Sequence, residues 1–415
     1  MMSKSILLAD LEQFRSFSSD AKSRRNFAGV ALAACLLALA PAHAGDAAET
    51  RAVLAAQAGL AVDLIDRTLA KEGAANIMVS PASLAAALGL ASLGASDAGK
   101  AAIARGLGFG DAVKGPEKVL DAMTPKTPAA ADAPLASGVA IVFDDKLTLV
   151  PDALAMLADH RIRPSIEDLD GPQSVEHING WVRQATRDAI PTIVETPPGG
   201  GFVSLGALSF KARWKTAFEA QSPPAPFRRP DGSTISVPMM HLAGDGQKFR
   251  ADDRFAAVDL AYAGETYRMV VIAARSEKGV GGSDLKTLAS WLQGEKFEPA
   301  KGEIFLPRFS LNDGRDFMPV LHAMGLTPEK AKDAAFPGFT TENISLSRVL
   351  QKTMIKVDEN GTEAAAATAV ITERSIDPKL VRVTADARFA FALRDTKTGL
   401  VLAAGLIGDP LLAGE

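Results

Sequence analysis

Residues 81–94 read PASLAAALGLASLG, a stretch of alanine, leucine, glycine and serine with no charged side chain. Ser80 just before it can cap a helix, and Pro81 suits the first helical position. A helix that is apolar on every side is buried on every side. The fold must therefore wrap other elements around it completely. With 415 residues, 47% of them hydrophobic, the chain is long enough to do so. At about 150 residues per domain the length allows two or three domains. Composition offers one candidate boundary, TPPGGG at 196–201. It reads as a surface loop, which favours one large domain.

Other segments sort by periodicity. Residues 52–71, 97–106, 150–161 and 175–190 have helical patterns, and 77–79 and 136–145 read as strands. Beyond 200, strand-like runs dominate at 202–214, 255–262, 268–273, 302–309, 353–357, 379–383, 389–393 and 400–407. Helices first and strands later make an α+β chain.

The N-terminus reads as an export signal. Lys22, Arg24 and Arg25 precede an apolar run at 27–40 that ends in APAHAG. The run is shorter than the roughly 20 residues a membrane span needs. Ala42 and Ala44 fit a cleavage site, so residues 1–44 form the signal and the mature chain begins at Gly45. SRRNF at 23–27 resembles a twin-arginine signal. LAAC at 32–35 resembles a lipoprotein box, but the residues after it stay apolar, as in the middle of a signal. The destination is the periplasm or the outside of the cell. Cys35 is the sole cysteine, so the mature chain has no disulfide or thiol chemistry. It carries 40 basic and 46 acidic residues. That balance, with no basic run, gives nucleic acid no footing.

Catalytic signatures are missing. No G-x-S-x-G, H-E-x-x-H or Walker loop occurs. His160, His177, His241 and His322 have no ligand spacing, and no sequence cue pairs any two of the acids. The reading is therefore no enzyme, no metal and no cofactor.

Near the C-terminus lies DENGTEAAAATAVITERSIDPK, residues 358–379, between two alternating stretches, TMIKV and KLVRV. Structureless loops of this length inside a domain tend to be functional. A short helix over 362–369 is the alternative, since alanine favours helices. Read as a strand, one face carries Thr362, Ala364, Ala366, Thr368, Val370 and Thr372. The other carries Glu363, Ala365, Ala367, Ala369, Ile371 and Glu373. Nothing bulky or charged lies on the first face, so the segment can slide between existing strands. Gly361 offers a backbone pivot. Arg374–Ser375 at its far end is the kind of bond that trypsin-like proteases cut.

This segment resembles the reactive loop of the serpins, and the resemblance extends along nearly all of the mature chain. NIMVSPASLAAALGLASLGA is similar to the family's Asn-x-x-x-Ser-Pro-x-Ser block, and INGWVRQATRDAIPTIV to the helix crossing its main sheet. LSFKARWKTAF resembles the strand ending in the breach tryptophan, here Trp214. VPMM, IFLPRF, LHAMGL and FAFALRDTKTGLVLAAGLIGDP match as well. The resemblance implies a single domain over 45–415 with three β-sheets, about eight or nine helices and an exposed reactive loop at 359–378. It implies a metastable, monomeric suicide inhibitor whose partner is a serine protease held as a covalent acyl complex. Its hinge would comprise Glu359, Gly361, Thr362, Glu363, Ala364, Ala365, Ala366, Ala367 and Thr368.

Counted from Glu359, the seventeenth residue, where many members place the cut, is Ser375; a loop one residue shorter gives Arg374. RSIDP occupies the place of RSLNP in antithrombin-like members, which assigns the bond to Arg374–Ser375. A papain-like cysteine protease also accepts arginine, and a non-inhibitory member is the other alternative. The chain departs from the family at the sheet-opening latch, where Gly206 and Gln351 replace the usual asparagine and histidine. Gln351 still offers a donor and an acceptor to Ser80 or Ser83. The helix that binds heparin in some members is shortened in favour of the loop at 124–134.

Overall fold

A computed structural model describes residues 40–125, 130, 132–326, 336–361 and 380–412, with side chains from Ala52 onward. The chain divides into two compact units, Met1–Arg51 and Ala52–Glu415. Of the first, only helical backbone from Ala40 is described. That backbone belongs to α1 (Ala40–Glu72), which runs through the expected cleavage site.

The apolar helix is α2 (Pro81–Gly94), and all fourteen of its residues are buried. The Ser80 side chain accepts from the Ser83 N–H, and Pro81 opens the helix as expected. Two sheets and a helix supply the wrapping. A five-stranded sheet has the order β10 (Phe309–Asp316), β11 (Leu346–Val357), β4 (Phe202–Phe210), β2 (Leu135–Asp144), β3 (Ser165–Glu167). α2 packs on β4, β2 and β11 of this sheet, on β14 (Val401–Ile407) of the other, and on α4 (Gly115–Met123). A hydrogen bond from Ser204 Oγ to the Ala87 carbonyl ties β4 to the helix.

The second sheet runs β1 (Asn76–Val79), β14, β13 (Phe389–Asp395), β8 (Tyr267–Ala274), β7 (Phe255–Ala261), β6 (Thr234–Ala251), β9 (Glu298–Pro307), β12 (Val381–Thr384). β5 (Pro224–Arg228) pairs with β6 off this path. The long β6 thus links the remaining two of the three expected sheets. It pairs with β9, then bulges between Gly244 and Gln247 and continues along β7. α3 (Asp97–Gly106), α5 (Ala153–Asp159), α6 (Pro172–Thr186), α7 (Gly282–Leu292) and α8 (Met318–Ala323) complete the described helices.

α6 lies across the face of the five-stranded sheet, over β2, β4 and β11. Its Ile178 packs with Val142, Val203, Leu205 and Leu350, and its Val182 with Ala207. A Cβ on Gly138 of β2 would sit 2.8 Å from Ala185 Cβ, so glycine lets helix and sheet approach this closely. β4 is buried along its whole length because α2 lies behind it and α6 in front. TPPGGG lies between α6 and β4 inside the second unit, a loop and no boundary.

The end of α2 is packed against aromatic rings. A Cβ at Gly94 would lie 2.3 Å from the ring of Phe339. Phe339 is fully buried and meets Phe143, Phe202 and Phe336. It has no room to retreat. Gly94→Ala should therefore destabilise the protein by about 1–3 kcal/mol through overpacking. A lower thermal midpoint at fixed scan rate is the expected result, and an unchanged midpoint would show that the ring yields freely.

Candidate functional site

β4 and β11 are parallel and hydrogen-bonded neighbours, from Leu346 opposite Phe202 to Ile355 opposite Phe210. No strand stands between them. Where β11 ends, the backbone turns at Asp358–Gly361, whose N–H groups and carbonyls exchange bonds of 2.8 and 3.2 Å. Gly361 then forms an antiparallel bridge with Arg213, just past the end of β4. Its φ is +143°, and a Cβ would lie 2.1 Å from the Ala212 carbonyl oxygen. Only glycine fits this position.

Trp214 holds the turn from the side. Its indole Nε1 donates to the Asp358 carbonyl at 2.9 Å, and its backbone N–H donates to Asn360. The ring stacks on Tyr262 with centroids 4.2 Å apart. Glu359 is fastened as well. Its backbone carbonyl accepts from Phe218, and its buried carboxylate accepts from Arg308 Nε at 2.7 Å and from the Ser222 hydroxyl. Burial pushes the Glu359 pKa up. The bonds from Arg308 and Ser222 push it down and prevail, so the net shift is below the ordinary 4.5.

Halfway along the strand pair, Gln351 stands opposite Gly206. Its Oε1 accepts from the Ser80 N–H at 2.9 Å, and its Nε2 donates to the Ser80 carbonyl at 2.7 Å. One side-chain amide thus satisfies both backbone groups of the residue that caps α2. The Ser80 hydroxyl turns to Ser83 instead. Gly206 leaves space for this arrangement, since a Cβ there would come within 3.1 Å of Ser83. β11 is thereby joined to α2 beneath the seam. Above the seam, Asn179 of α6 binds backbone groups of Ile193 and Val194 at both ends of its amide, holding the following chain against the sheet.

The family model for serpins, serine protease inhibitors, matches residues 55–410. The chain belongs to the serpin family. Human neuroserpin is 25% identical over 85% of this chain and 90% of its own length. Human serpin B8 is 31% identical over 58% of this chain and 67% of its own. Among solved structures, the thermophilic serpin tengpin in its native state has a TM-score of 0.74 at 24% identity, covering 86% of this chain and 94% of its own. Thyroxine-binding globulin with thyroxine has 0.73 at 22% identity, covering 86% and 99%. The family generally acts on proteases as inhibitors, and its members include this hormone-binding globulin. Among the described residues, no helix is long and apolar enough to cross a membrane.

The structure brings Gly206, Gln351, Ser80 and Ser83 together at the middle of the serpin seam, and Trp214, Glu359 and Gly361 at its top. Thr362, Glu363, Ala364, Ala365, Ala366, Ala367, Thr368, Arg374 and Ser375 lie outside the described residues. Sequence reasoning passed over Arg308, Ser222 and Tyr262. Arg308 is 51 positions from Glu359 and sat inside the run at 302–309, which read as one strand.

The lowered Glu359 pKa has a direction in pH. Stability from the Arg308 pair is present above the unfolded carboxylate's pKa and is lost as pH falls through the lower folded value. Wild type should melt above Glu359→Gln at neutral pH, and the gap should close in acid. A gap that is constant with pH would mean the carboxylate's charge contributes nothing to the hinge.

Proposed function

We propose that this protein is an exported suicide inhibitor of trypsin-like serine endopeptidases, with Arg374–Ser375 as the attacked bond. The observation that carries this reading is the directly paired, parallel β4 and β11, with the hinge already bridged to the end of β4 at Gly361. A chain leaving β11 and turning back can enter between the two strands only antiparallel to both. It would then exchange one parallel ladder for two antiparallel ones, which are slightly more stable per residue.

The chemistry begins as ordinary proteolysis. The protease serine attacks the Arg374 carbonyl carbon, the peptide bond to Ser375 breaks, and the new amine takes a proton. Arg374 is now esterified to the protease serine. The severed segment from Thr362 inserts, with Thr362, Ala364, Ala366 and Thr368 on the face that must be buried. About fifteen residues at 3.3 Å each span roughly 50 Å, so the protease is carried the length of the sheet. Its active site is distorted there before water can cleave the ester. Insertion requires α6 to lift, because its side chains cover the seam.

The acting form is a monomer that needs no cofactor. Residues 1–44 are removed on export to the periplasm or beyond, and 45–415 form the inhibitory domain. The small side chains of Thr362, Ala364, Ala366 and Thr368, which suit burial in a sheet, favour this reading over a non-inhibitory serpin.

Incubation with trypsin, followed by a denaturing gel and mass spectrometry, tests the proposal. A gel-stable complex and a released fragment beginning at Ser375 are expected. Thr362→Arg would bury a charge on insertion, so the complex should fall by about tenfold or more while cleavage continues. Arg374→Ala should abolish trypsin inhibition. Undiminished complex from Thr362→Arg would rule out insertion as the trapping step.

A further inference from the structure

The sequence offers no reason to group Asp144 with Asp168 and Asp170, but the sheet does. β2 and β3 are parallel, with Asp144 in register with Glu167, so both strands end at the same edge. Asp168 and Asp170 follow at once, in the link from β3 to α6. One carboxylate oxygen from each of the three aspartates lies within 4.8 Å of the others. A calcium ion bound to oxygens at 2.3–2.6 Å has opposite ligands about 4.6–5.2 Å apart. All three oxygens can therefore touch one ion.

A second observation concerns Asp144 alone. It is 2% exposed, yet its Oδ2 has no hydrogen-bond partner among the described residues. Its other oxygen accepts from the Lys146 N–H. A Cβ on Gly200 would stand 3.5 Å from Oδ2. A buried carboxylate oxygen with no partner is costly.

The Lys146 ammonium covers only the outer part of the cluster. It bonds Asp170 at 2.7 Å and Asp168 at 3.3 Å, and its side chain is 61% exposed. Its pKa is raised, first by the Asp170 bond. One ammonium against three carboxylates leaves two negative charges, which a divalent ion would balance. An all-oxygen set excludes soft-metal preference and suits calcium, whose coordination tolerates irregular geometry better than magnesium's.

We propose that Asp144, Asp168 and Asp170 form a calcium-binding site in which Lys146 is the competing counter-charge. A bound ion would fasten the ends of β2 and β3 to the chain entering α6.

Calorimetric titration of the full chain with calcium chloride, after chelator treatment, is the test. One ion per chain is expected, with a dissociation constant on the order of 10⁻⁴–10⁻³ M. Asp170→Asn should weaken binding about tenfold or more, and Lys146→Gln should tighten it about tenfold, since ligand charge sets affinity. Magnesium should bind more weakly. No uptake by wild type up to about 10 mM calcium would overturn the proposal. So would an affinity that neither substitution changes. The readout involves no protease, so it stands or falls apart from the inhibitory reading.

Discussion

Everything in this molecule turns on the parallel contact between β4 and β11. Parallel strands in one sheet need a long connection, and here it runs from β4 through β5 to β9 of the second sheet and then β10 before returning as β11. The contact is complete as it stands, with each strand satisfying the other's backbone. On the proposed function it is where the sheet takes in another strand from the same chain. The hinge leaves β11 at the mouth of that seam, and its first bridge, Arg213 to Gly361, already has the antiparallel sense an entering strand requires.

A seam that can open must also be held shut. Gln351 is joined by two bonds to Ser80, and so to a helix that cannot move without disturbing the whole core. α6 lies over the outer face, its following chain pinned by Asn179. At the mouth, Arg308 and Ser222 grip Glu359 while Trp214 grips the adjoining carbonyl. The bonds named are polar, and the apolar packing of Ile178 and Val182 on the sheet adds to them. On the proposed function, such contacts would hold the intact state kinetically above a deeper one. The replacement of the usual latch by Gly206 and Gln351 works sterically as a pair. Without a side chain at 206, Ser83 can approach the sheet closely, and the glutamine reaches the cap of α2.

Much of this was legible in the sequence because it rests on local chemistry. The apolar run at 81–94 demanded complete burial, and Ser80–Pro81 set where the helix starts. The strands after 250 alternate or run apolar, and their positions followed. The misses share a cause. β6 is eighteen residues long, but Pro238 and the glycines at 244 and 246 break its pattern, and neighbouring strands hold it together. The run at 302–309 carried β9 as far as the first residue of β10, because Arg308 alone separates their ends, and the rest of β10 is too polar to read as a strand. β11 begins well before 353, in a polar stretch whose extended shape comes from pairing with β4. α4 begins at Gly115–Pro116, where glycine and proline hide a helix. At the site, Gly361 stood out by residue type and Trp214 through the family resemblance. Arg308 and the three aspartates did not, since their meaning depends on partners brought near by sheet register.

On the proposed function, the intact chain occupies a state from which severing the loop releases it into a more stable one. The most direct test is thermal melting of the protein before and after a single cleavage within residues 362–379. The account predicts that the nicked protein melts well above the intact one, because the freed segment has become a strand between β4 and β11. A nicked protein that melts at the same temperature or lower would contradict it.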